Sequence, residues 1–176
     1  AGVVSDQAHT LTLNVKNVFE PKHQARNVLG VVKAKGGSKD WLVLTAHYDH
    51  LGMMGPDALF PGANDNASGT SMLLCLAGEI ARQPLKKNVL FVAFAGEEVG
   101  LKGSEWFVTD RPMDLARIKL LINLDLNGTG EEGITVVNAT EQKKVYDKLV
   151  AINERTHRFA QVKARGPACN SDHCPF

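Results

Sequence analysis

The sequence lacks the features that mark several large classes of protein. It contains no run of about 18 apolar residues, so we expect no transmembrane helix. Its 176 residues carry a formal net charge of only +1, which gives no indication of nucleic acid or an anionic membrane as a partner. With 44% hydrophobic and 22% charged residues, the composition is that of an ordinary globular chain, and the length fits a single domain over residues 1–176.

Cysteine is also scarce, since the chain has only Cys75, Cys169 and Cys174. An odd count this low is not a disulfide framework. Cys169 and Cys174 are near enough in sequence to pair, but the expectation is that all three are free thiols. Residues 1–5 show no basic region followed by an apolar core, so we expect no signal peptide in this chain, although a mature exported chain would look the same.

Short apolar runs alternate along the chain with segments of helical periodicity. Runs typical of strands buried on both faces lie at residues 41–46, 88–95 and 119–124, and helices are predicted at 68–82, at 101–108 and from Glu141. This alternation predicts an α/β domain, a three-layer α/β/α sandwich with a mixed, mainly parallel central sheet.

Further strands are predicted outside these apolar runs. Residues 11–15 and 27–35 are expected to pair antiparallel at one edge of the sheet, and residues 134–137 to form one more short strand. The segment 51–67 is expected to be a loop, and the chain after His157 to be irregular.

Side chains that can bind metals follow the buried strands. They are His47, Asp49, Glu97, Glu98 and Asp125. The carboxyl ends of strands in an open α/β sheet are the usual place for a site, so these side chains are candidates for one. Charged residues also flank apolar strands for trivial reasons, so it is their combination that favours a function.

Spacing indicates how some of these candidates are arranged. His47 and Asp49 are two residues apart and face the same side of an extended chain, where a carboxylate can fix the second ring nitrogen of a histidine. His50 is equally available by chemistry alone. Glu97 and Glu98 point apart on an extended backbone, so one can bind metal while the other remains free as a base.

Two further candidates lie in loops. Asp65 precedes a helix N-terminus, where a carboxylate can bridge two cations or simply cap the helix. His173 is an isolated imidazole near the end of the chain, and alone it would be a surface histidine. Glu131 and Glu132 lie in a glycine-rich turn and are expected to be solvated.

The order of five segments resembles the zinc aminopeptidase family of bacterial leucyl aminopeptidases, whose relatives are glutaminyl cyclases and glutamate carboxypeptidases. The segments are AHYDH from residue 46, PGANDNASG from 61, FAGEE from 94, NLD from 123 and NSDH from 170. Each is weak alone, but the five in this order are highly specific, and the match extends from about Asn27 to the last residue.

The resemblance implies a ligand set for two zinc ions. His47 and Asp125 would complete one zinc, Glu98 and His173 the other, and Asp65 would bridge both. Two zinc ions and a bridging hydroxide would balance the charge of the three carboxylates. Imidazole and carboxylate ligands without thiolate suit a catalytic zinc, which keeps a position open to water.

The resemblance also implies a reaction. Asp49 would orient His47, and Glu97 would be the general base that takes a proton from the metal-bridging water and returns it to the leaving amine. The family tends to place a cis peptide after the bridging aspartate, here at Asp65–Asn66. The expected activity is that of an exopeptidase, an aminopeptidase acting on peptides with a free N-terminus.

Three alternatives accompany this hypothesis: a single-zinc glutaminyl cyclase, a non-catalytic module of the same fold, and an inactive fragment. The family fold continues past the final histidine motif, so a C-terminal part is expected to be missing, and self-association would be one way to cover the gap. We further expect an exported protein, either periplasmic, secreted or attached to the cell envelope.

Overall fold

The computed structural model describes residues 10–15, 20–110 and 112–176. Its strands are β1 (Val28–Val32), β2 (Trp41–His47), β3 (Gly52–Met54), β4 (Ala58–Phe60), β5 (Asn88–Phe94), β6 (Ile118–Asn123), β7 (Ile134–Val136) and β8 (Val162–Ala164). Its α-helices are α1 (Gly69–Arg82), α2 (Lys102–Asp110) and α3 (Lys143–Thr156). An irregular helical turn over Ala63–Ser68 precedes α1, and a 3₁₀ turn over Leu115–Arg117 precedes β6.

The main sheet has the strand order β1-β5-β2-β6. β2 runs parallel to both β5 and β6, and β1 runs antiparallel to β5 at the edge. The mixed, mainly parallel sheet predicted from the apolar runs is therefore confirmed, and the three buried strands lie within two residues of their predicted bounds.

The predicted partner of the edge strand is wrong. Residues 11–15 form no strand, and β1 takes β5 as its antiparallel neighbour instead, with Val28 opposite Ala93. Leu11 and Leu13 are both more than 70% exposed. Their alternation with polar residues therefore does not correspond to a buried face, and a period of two cannot by itself identify a strand.

Helices cover both faces of the sheet, which produces the three layers. Leu73 of α1 packs with Leu44 and Phe91 on one face. Phe107 of α2 packs with Val43 and other residues on the opposite face. Successive residues of β2 point to opposite faces, and a strand buried on both sides must be apolar at nearly every position.

A smaller unit lies outside the main sheet. β7 and β8 form a parallel pair, and Tyr146 of α3 donates a hydrogen bond to the Val162 carbonyl. The expectation that the chain after His157 is irregular is wrong for β8.

A second correction concerns residues 51–67, where β3 and β4 form a short antiparallel hairpin within the expected loop.

The C-terminal segment, residues 169–176, packs against the main domain. Phe176 lies 5.7 Å from Phe107 between ring centroids, so the segment closes over the α2 face of the core. Cys169 and Cys174 form a disulfide with their Cα atoms 4.8 Å apart, and only Cys75 is a free thiol. The expectation of three free thiols is wrong, because the turn at residues 171–174 brings the two cysteines together.

Helices in the described ranges fall short of membrane-spanning length and apolarity.

Candidate metal centre

The parallel strands β2, β5 and β6 all end at the same edge of the sheet. In the register, His47 lies opposite Phe94 of β5, and Thr45 lies opposite Asn123 of β6. Because Asp125 follows Asn123 by two residues, it reaches the level of His47. Side chains that are far apart in sequence therefore meet where the sequence predicted, just past the strand ends.

The buried imidazole of His47 is the centre of the site, since its ring is only 1% exposed. Its Nδ1 lies 3.1 Å from the backbone oxygen of Asp49. Its Nε2 lies 3.2 Å from an oxygen of Asp65 and 3.3 Å from an oxygen of Asp125. A histidine whose one nitrogen is held by a carbonyl presents the other nitrogen to a ligand in a fixed direction.

Asp65 belongs to two groups that could each hold a metal ion. His47, Asp65 and Asp125 have ligand atoms that all lie within 4.8 Å of one another, and so do His50, Asp65 and Glu98. Within the second group, His50 Nδ1 lies 2.6 Å from Glu98 Oε1. The carboxylate of Asp65 is therefore placed between two neighbouring sets of ligands.

Asp49 contacts the site in a different way from that expected. Its carboxylate accepts hydrogen bonds from the backbone N–H groups of Glu97 and Glu98, each at 3.2 Å. The carboxylate lies 3.8 Å from His47 Nδ1, and the backbone oxygen of Asp49 is the closer partner of that ring. The side chain of Asp49 thus holds the turn that carries both glutamates, while its main chain orients the histidine.

The loop that carries Asp65 is fixed by its neighbour Asn66. The peptide bond between the two residues is cis, as the resemblance implied. Asn66 is buried, donates to the Leu124 carbonyl at 3.0 Å and accepts from the Gly69 N–H at 3.0 Å. A Cβ on Gly69 would lie 2.3 Å from the Leu124 oxygen, so the close approach of the loop to the end of β6 requires glycine.

Burial raises the pKa of Glu97 to about 7, and the neighbouring carboxylates Asp172, Asp125 and Glu98 raise it further while His47 opposes them. A carboxyl group with a pKa near neutrality can accept and release a proton at physiological pH. The half-buried side chain of Glu97 is therefore a candidate for proton transfer at this site.

The other groups of the site respond to the same crowding. Burial by itself lowers the pKa of His47, but the hydrogen bond and charge of Asp125 outweigh it and raise that pKa to about 9. Burial raises the pKa of Asp65, and the charge of Glu98 adds to this. Burial acts in the same direction on Asp125, but its hydrogen bonds to His47 and Ser171 prevail and lower its pKa.

Asp172 is a fully buried carboxyl group that the sequence did not single out as part of the site. Burial raises its pKa to about 6, although Ser104 donates a hydrogen bond to Oδ1 at 2.6 Å. Ser104 belongs to α2, so this contact ties the C-terminal segment to the helix. No spacing rule links two residues 68 positions apart, and only the fold brings them together.

His173 is the one predicted ligand that the structure does not bring into a ligand group. Its Nε2 lies 2.6 Å from the Ala168 carbonyl. Among the described residues, it belongs to none of the groups of three or more ligand atoms of metal-site size. Glu131 and Glu132 are exposed, in agreement with their predicted solvation.

The residues of the site fit divalent metal ions. Six carboxyl groups and two imidazoles lie at one end of the sheet. Burial raises the pKa of Asp65, Glu97 and Asp172, and the charges of neighbouring carboxylates raise it further. Imidazole nitrogen and carboxylate oxygen are the ligands of catalytic zinc. Such a cluster in a half-buried site is stabilised by bound cations.

The fold and the site together define a class, an α/β/α protein with a cluster of histidine and carboxylate side chains at the strand ends. The sequence model of Peptidase family M28 matches residues 27–176, and the chain belongs to that family. Its relatives include Aminopeptidase YwaD of Bacillus subtilis, which is 38% identical over 185 residues and matches 99% of this chain.

Solved structures agree with this assignment. The structure of BSAP, a zinc aminopeptidase from Bacillus subtilis, superimposes with a TM-score of 0.68 at 31% identity and covers 85% of this chain. An Acidobacteriales bacterium glutaminyl cyclase shares the fold with a TM-score of 0.68 at 24% identity, again over 85% of this chain and 53% of that one. The chain spans 39% of the length of YwaD and 36% of the BSAP chain.

The pKa shifts predict how the stability of the zinc-free protein depends on pH. His47 and Glu97 have pKa values of about 9 and about 7 in the folded protein, above their ordinary values of 6.5 and 4.5. The folded state therefore holds more protons than the unfolded state from about pH 4.5 to about pH 9, and stability is lost as the pH rises through that range. We expect the thermal midpoint in chelator to fall from pH 5 to pH 9.

Glu97→Gln is the control for this measurement. It removes a group that titrates between about pH 4.5 and pH 7, so the fall over that interval is expected to become shallower while the fall toward pH 9 remains. A midpoint that rises from pH 5 to pH 9 in the zinc-free wild type would contradict the assignment.

Proposed function

We propose that this chain carries the metal centre of a zinc-dependent aminopeptidase that removes N-terminal residues from peptides and binds two zinc ions. The observation that carries the proposal is the position of Asp65, whose carboxylate is shared by two groups of ligands. A single carboxylate between two ligand sets is the arrangement by which two cations are held close together. The zinc aminopeptidase BSAP, similar in fold and sequence, supports the choice of metal and reaction.

Zinc supplies Lewis-acid chemistry when it is bound, because it lowers the pKa of water and polarises a carbonyl oxygen. Glu97 acts as the general base: it takes a proton from the attacking water and returns it to the leaving amine. Asp49 contacts both the backbone N–H of Glu97 and the ring of His47. These two contacts fix the position of the base relative to His47. His47, Asp65 and Asp125 hold one ion.

The proposal of a substrate with a free N-terminus rests on the similarity to YwaD and BSAP, both named as aminopeptidases. The α-amine of the substrate would approach the metal centre, and an N-acylated peptide lacks that amine. Selection for the amine would limit cleavage to the first residue of a peptide.

In the structure His50 completes the group with Asp65 and Glu98. We propose that His173 replaces it as the second imidazole when zinc is bound. The segment that carries His173 reaches the site, because Ser171 Oγ donates to Asp125 Oδ2 at 2.7 Å. The contact between His173 Nε2 and a backbone carbonyl leaves Nδ1 as the ring nitrogen for a ligand. His50 is assigned a different role, in which it holds the Glu98 carboxylate at 2.6 Å.

The proposed function is tested by metal analysis coupled to hydrolysis of matched dipeptides, one series with a free N-terminus and the other N-acetylated. We expect about two zinc ions per chain and cleavage of the free series only. Cleavage of both series would contradict the exopeptidase assignment. One zinc per chain, with cyclisation of N-terminal glutamine peptides, would favour a glutaminyl cyclase instead.

Glu97→Gln supplies the internal control for that experiment. Because glutamine cannot accept the proton, we expect turnover to fall by a factor of about 10²–10⁴ while zinc content stays at the wild-type value. A variant that loses its zinc would place Glu97 among the ligands, and one that keeps full activity would remove it from the reaction.

The assignment of the second imidazole makes a separate prediction. His173→Ala is expected to lose one of two zinc ions, and His50→Ala to keep both, because only the first removes a ligand. Zinc content after dialysis against weak chelator measures both variants. The reverse pattern would assign the site to His50, in agreement with its contact to Glu98 in the structure.

We propose an exported location for the protein, either periplasmic, secreted or attached to the envelope. The disulfide between Cys169 and Cys174 supports this, since disulfides persist in oxidising compartments. In protein isolated with rapid alkylation, we expect one reactive thiol, Cys75, before reduction and three after it. Three reactive thiols before reduction, in protein recovered from the cytoplasm, would contradict the proposal.

A further inference from the structure

We propose that Ser171 is a positioning residue for the metal centre, at the end of a hydrogen-bonded relay formed by Thr45, Asn123, Ser171 and Asp125. The proposal rests on the proposed metal site, because Asp125 is a ligand only there. The relay starts in β2, crosses to β6, passes through the C-terminal segment and returns to the carboxylate after β6. Its function is to fix the orientation of the Asp125 carboxylate at the metal site.

Three short hydrogen bonds make up the relay. Thr45 Oγ1 donates to Asn123 Oδ1 at 2.6 Å. Asn123 Nδ2 donates to Ser171 Oγ at 2.7 Å. Ser171 Oγ donates to Asp125 Oδ2 at 2.7 Å. The first two distances lie at the short end of the range for their pairs of atoms, and the third is the usual distance for a hydroxyl that donates to an oxygen.

The direction of each bond is fixed by the number of protons available. The side-chain oxygen of Asn123 can only accept, so it takes the Thr45 hydroxyl proton, and its NH₂ group must then face Ser171. The Ser171 hydroxyl accepts from that NH₂ group and has one proton left to donate. That proton goes to Asp125, which as a carboxylate can only accept.

The consequence falls on the two oxygens of Asp125. Oδ2 is held by Ser171, and Oδ1 faces His47 Nε2 at 3.3 Å. A carboxylate held in this way cannot turn away from this orientation without losing a charge-assisted hydrogen bond. Outer hydrogen-bond partners of metal ligands typically affect metal affinity by a factor of about 10–100.

Burial makes the relay hard to replace with water. Thr45 is 0% exposed and Ser171 only 3% exposed. Thr45 lies directly opposite Asn123 in the β2–β6 register, so the first bond is built into the sheet. Ser171 lies inside the loop closed by the Cys169–Cys174 disulfide, and its carbonyl accepts from the Cys174 N–H at 3.0 Å.

A structural role for Ser171 would have a different signature. Were Ser171 only an anchor for the C-terminal segment, its loss would lower thermal stability with or without zinc. The relay predicts instead that removal of the Ser171 hydroxyl weakens zinc binding while the thermal stability of the zinc-free protein changes little. Thr45 provides the sharper test, because its hydroxyl is linked to Asp125 through Asn123 and Ser171, and the substitutions leave its backbone bond to Leu124 in place.

The experiment measures the zinc dissociation constant by competition with a chelator for wild type, Ser171→Ala, Thr45→Val and Thr45→Ser. Ser171→Ala is expected to weaken binding of the more affected ion about 10–100-fold. Thr45→Val, which keeps the shape but removes the hydroxyl, is expected to weaken it by a smaller factor. Thr45→Ser keeps the donor and is expected to bind zinc like the wild type.

Two further measurements separate the relay from general damage. The double variant Thr45→Val with Ser171→Ala is expected to bind no more weakly than Ser171→Ala alone, since the relay is already broken at Ser171. The cobalt(II)-substituted Ser171→Ala protein is expected to show a shifted visible absorption band. Thermal unfolding in chelator verifies that each variant folds. If Ser171→Ala does not fold, the zinc affinities of the two Thr45 variants decide whether the relay exists.

The outcomes are distinct. Wild-type affinity in Ser171→Ala or Thr45→Val, or equal weakening by Thr45→Val and Thr45→Ser, would overturn the relay while leaving the proposed function intact. A wild-type protein that binds no zinc would overturn the proposed function, and the relay with it.

Discussion

Three parallel strands end at the same edge of the sheet, and half-buried carboxylates gather there around the imidazole of His47. His47 lies between Asp65 and Asp125, at 3.2 and 3.3 Å, and the remaining acidic groups lie beside them. Negative charge at this density is unfavourable in a medium of low polarity unless cations or protons compensate for it. In the zinc-free protein the pKa values of His47 and Glu97 are raised, so that bound protons compensate for part of this negative charge.

The frame around these groups is built largely from backbone atoms and neutral side chains. The main chain of Asp49 holds the imidazole, and its carboxylate holds the turn of the two glutamates. Asn66 joins the Asp65 loop to the end of β6. Ser171 brings the last segment of the chain onto Asp125. A ligand that is oriented by its neighbours loses less conformational entropy when it binds a metal, which is why such outer contacts matter.

Membership of the M28 family and the geometry of the centre support each other without being the same evidence. The family is shown by the match over residues 27–176, whereas the grouping of His47, Asp65 and Asp125 comes from the coordinates alone. The grouping of His50 with Asp65 and Glu98 was not implied by the family resemblance. In the structure His50, and not the predicted His173, lies beside Asp65 and Glu98, so a motif that names ligands in order does not settle their geometry.

The sequence by itself determined the buried strands, the helices between them and the position of Asp65 before a helix, because apolar periodicity and chain breakers are local properties. It also named His47, Glu98 and Asp125 as candidates, since they follow strands whose ends converge. Only the tertiary structure decided that β1 pairs with β5, that the carboxylate of Asp49 faces two amides, and that Cys169 and Cys174 are bonded. Strand pairing, side-chain direction and contacts such as Ser171 with Asp125 depend on distances between segments far apart in the chain, which no local pattern encodes.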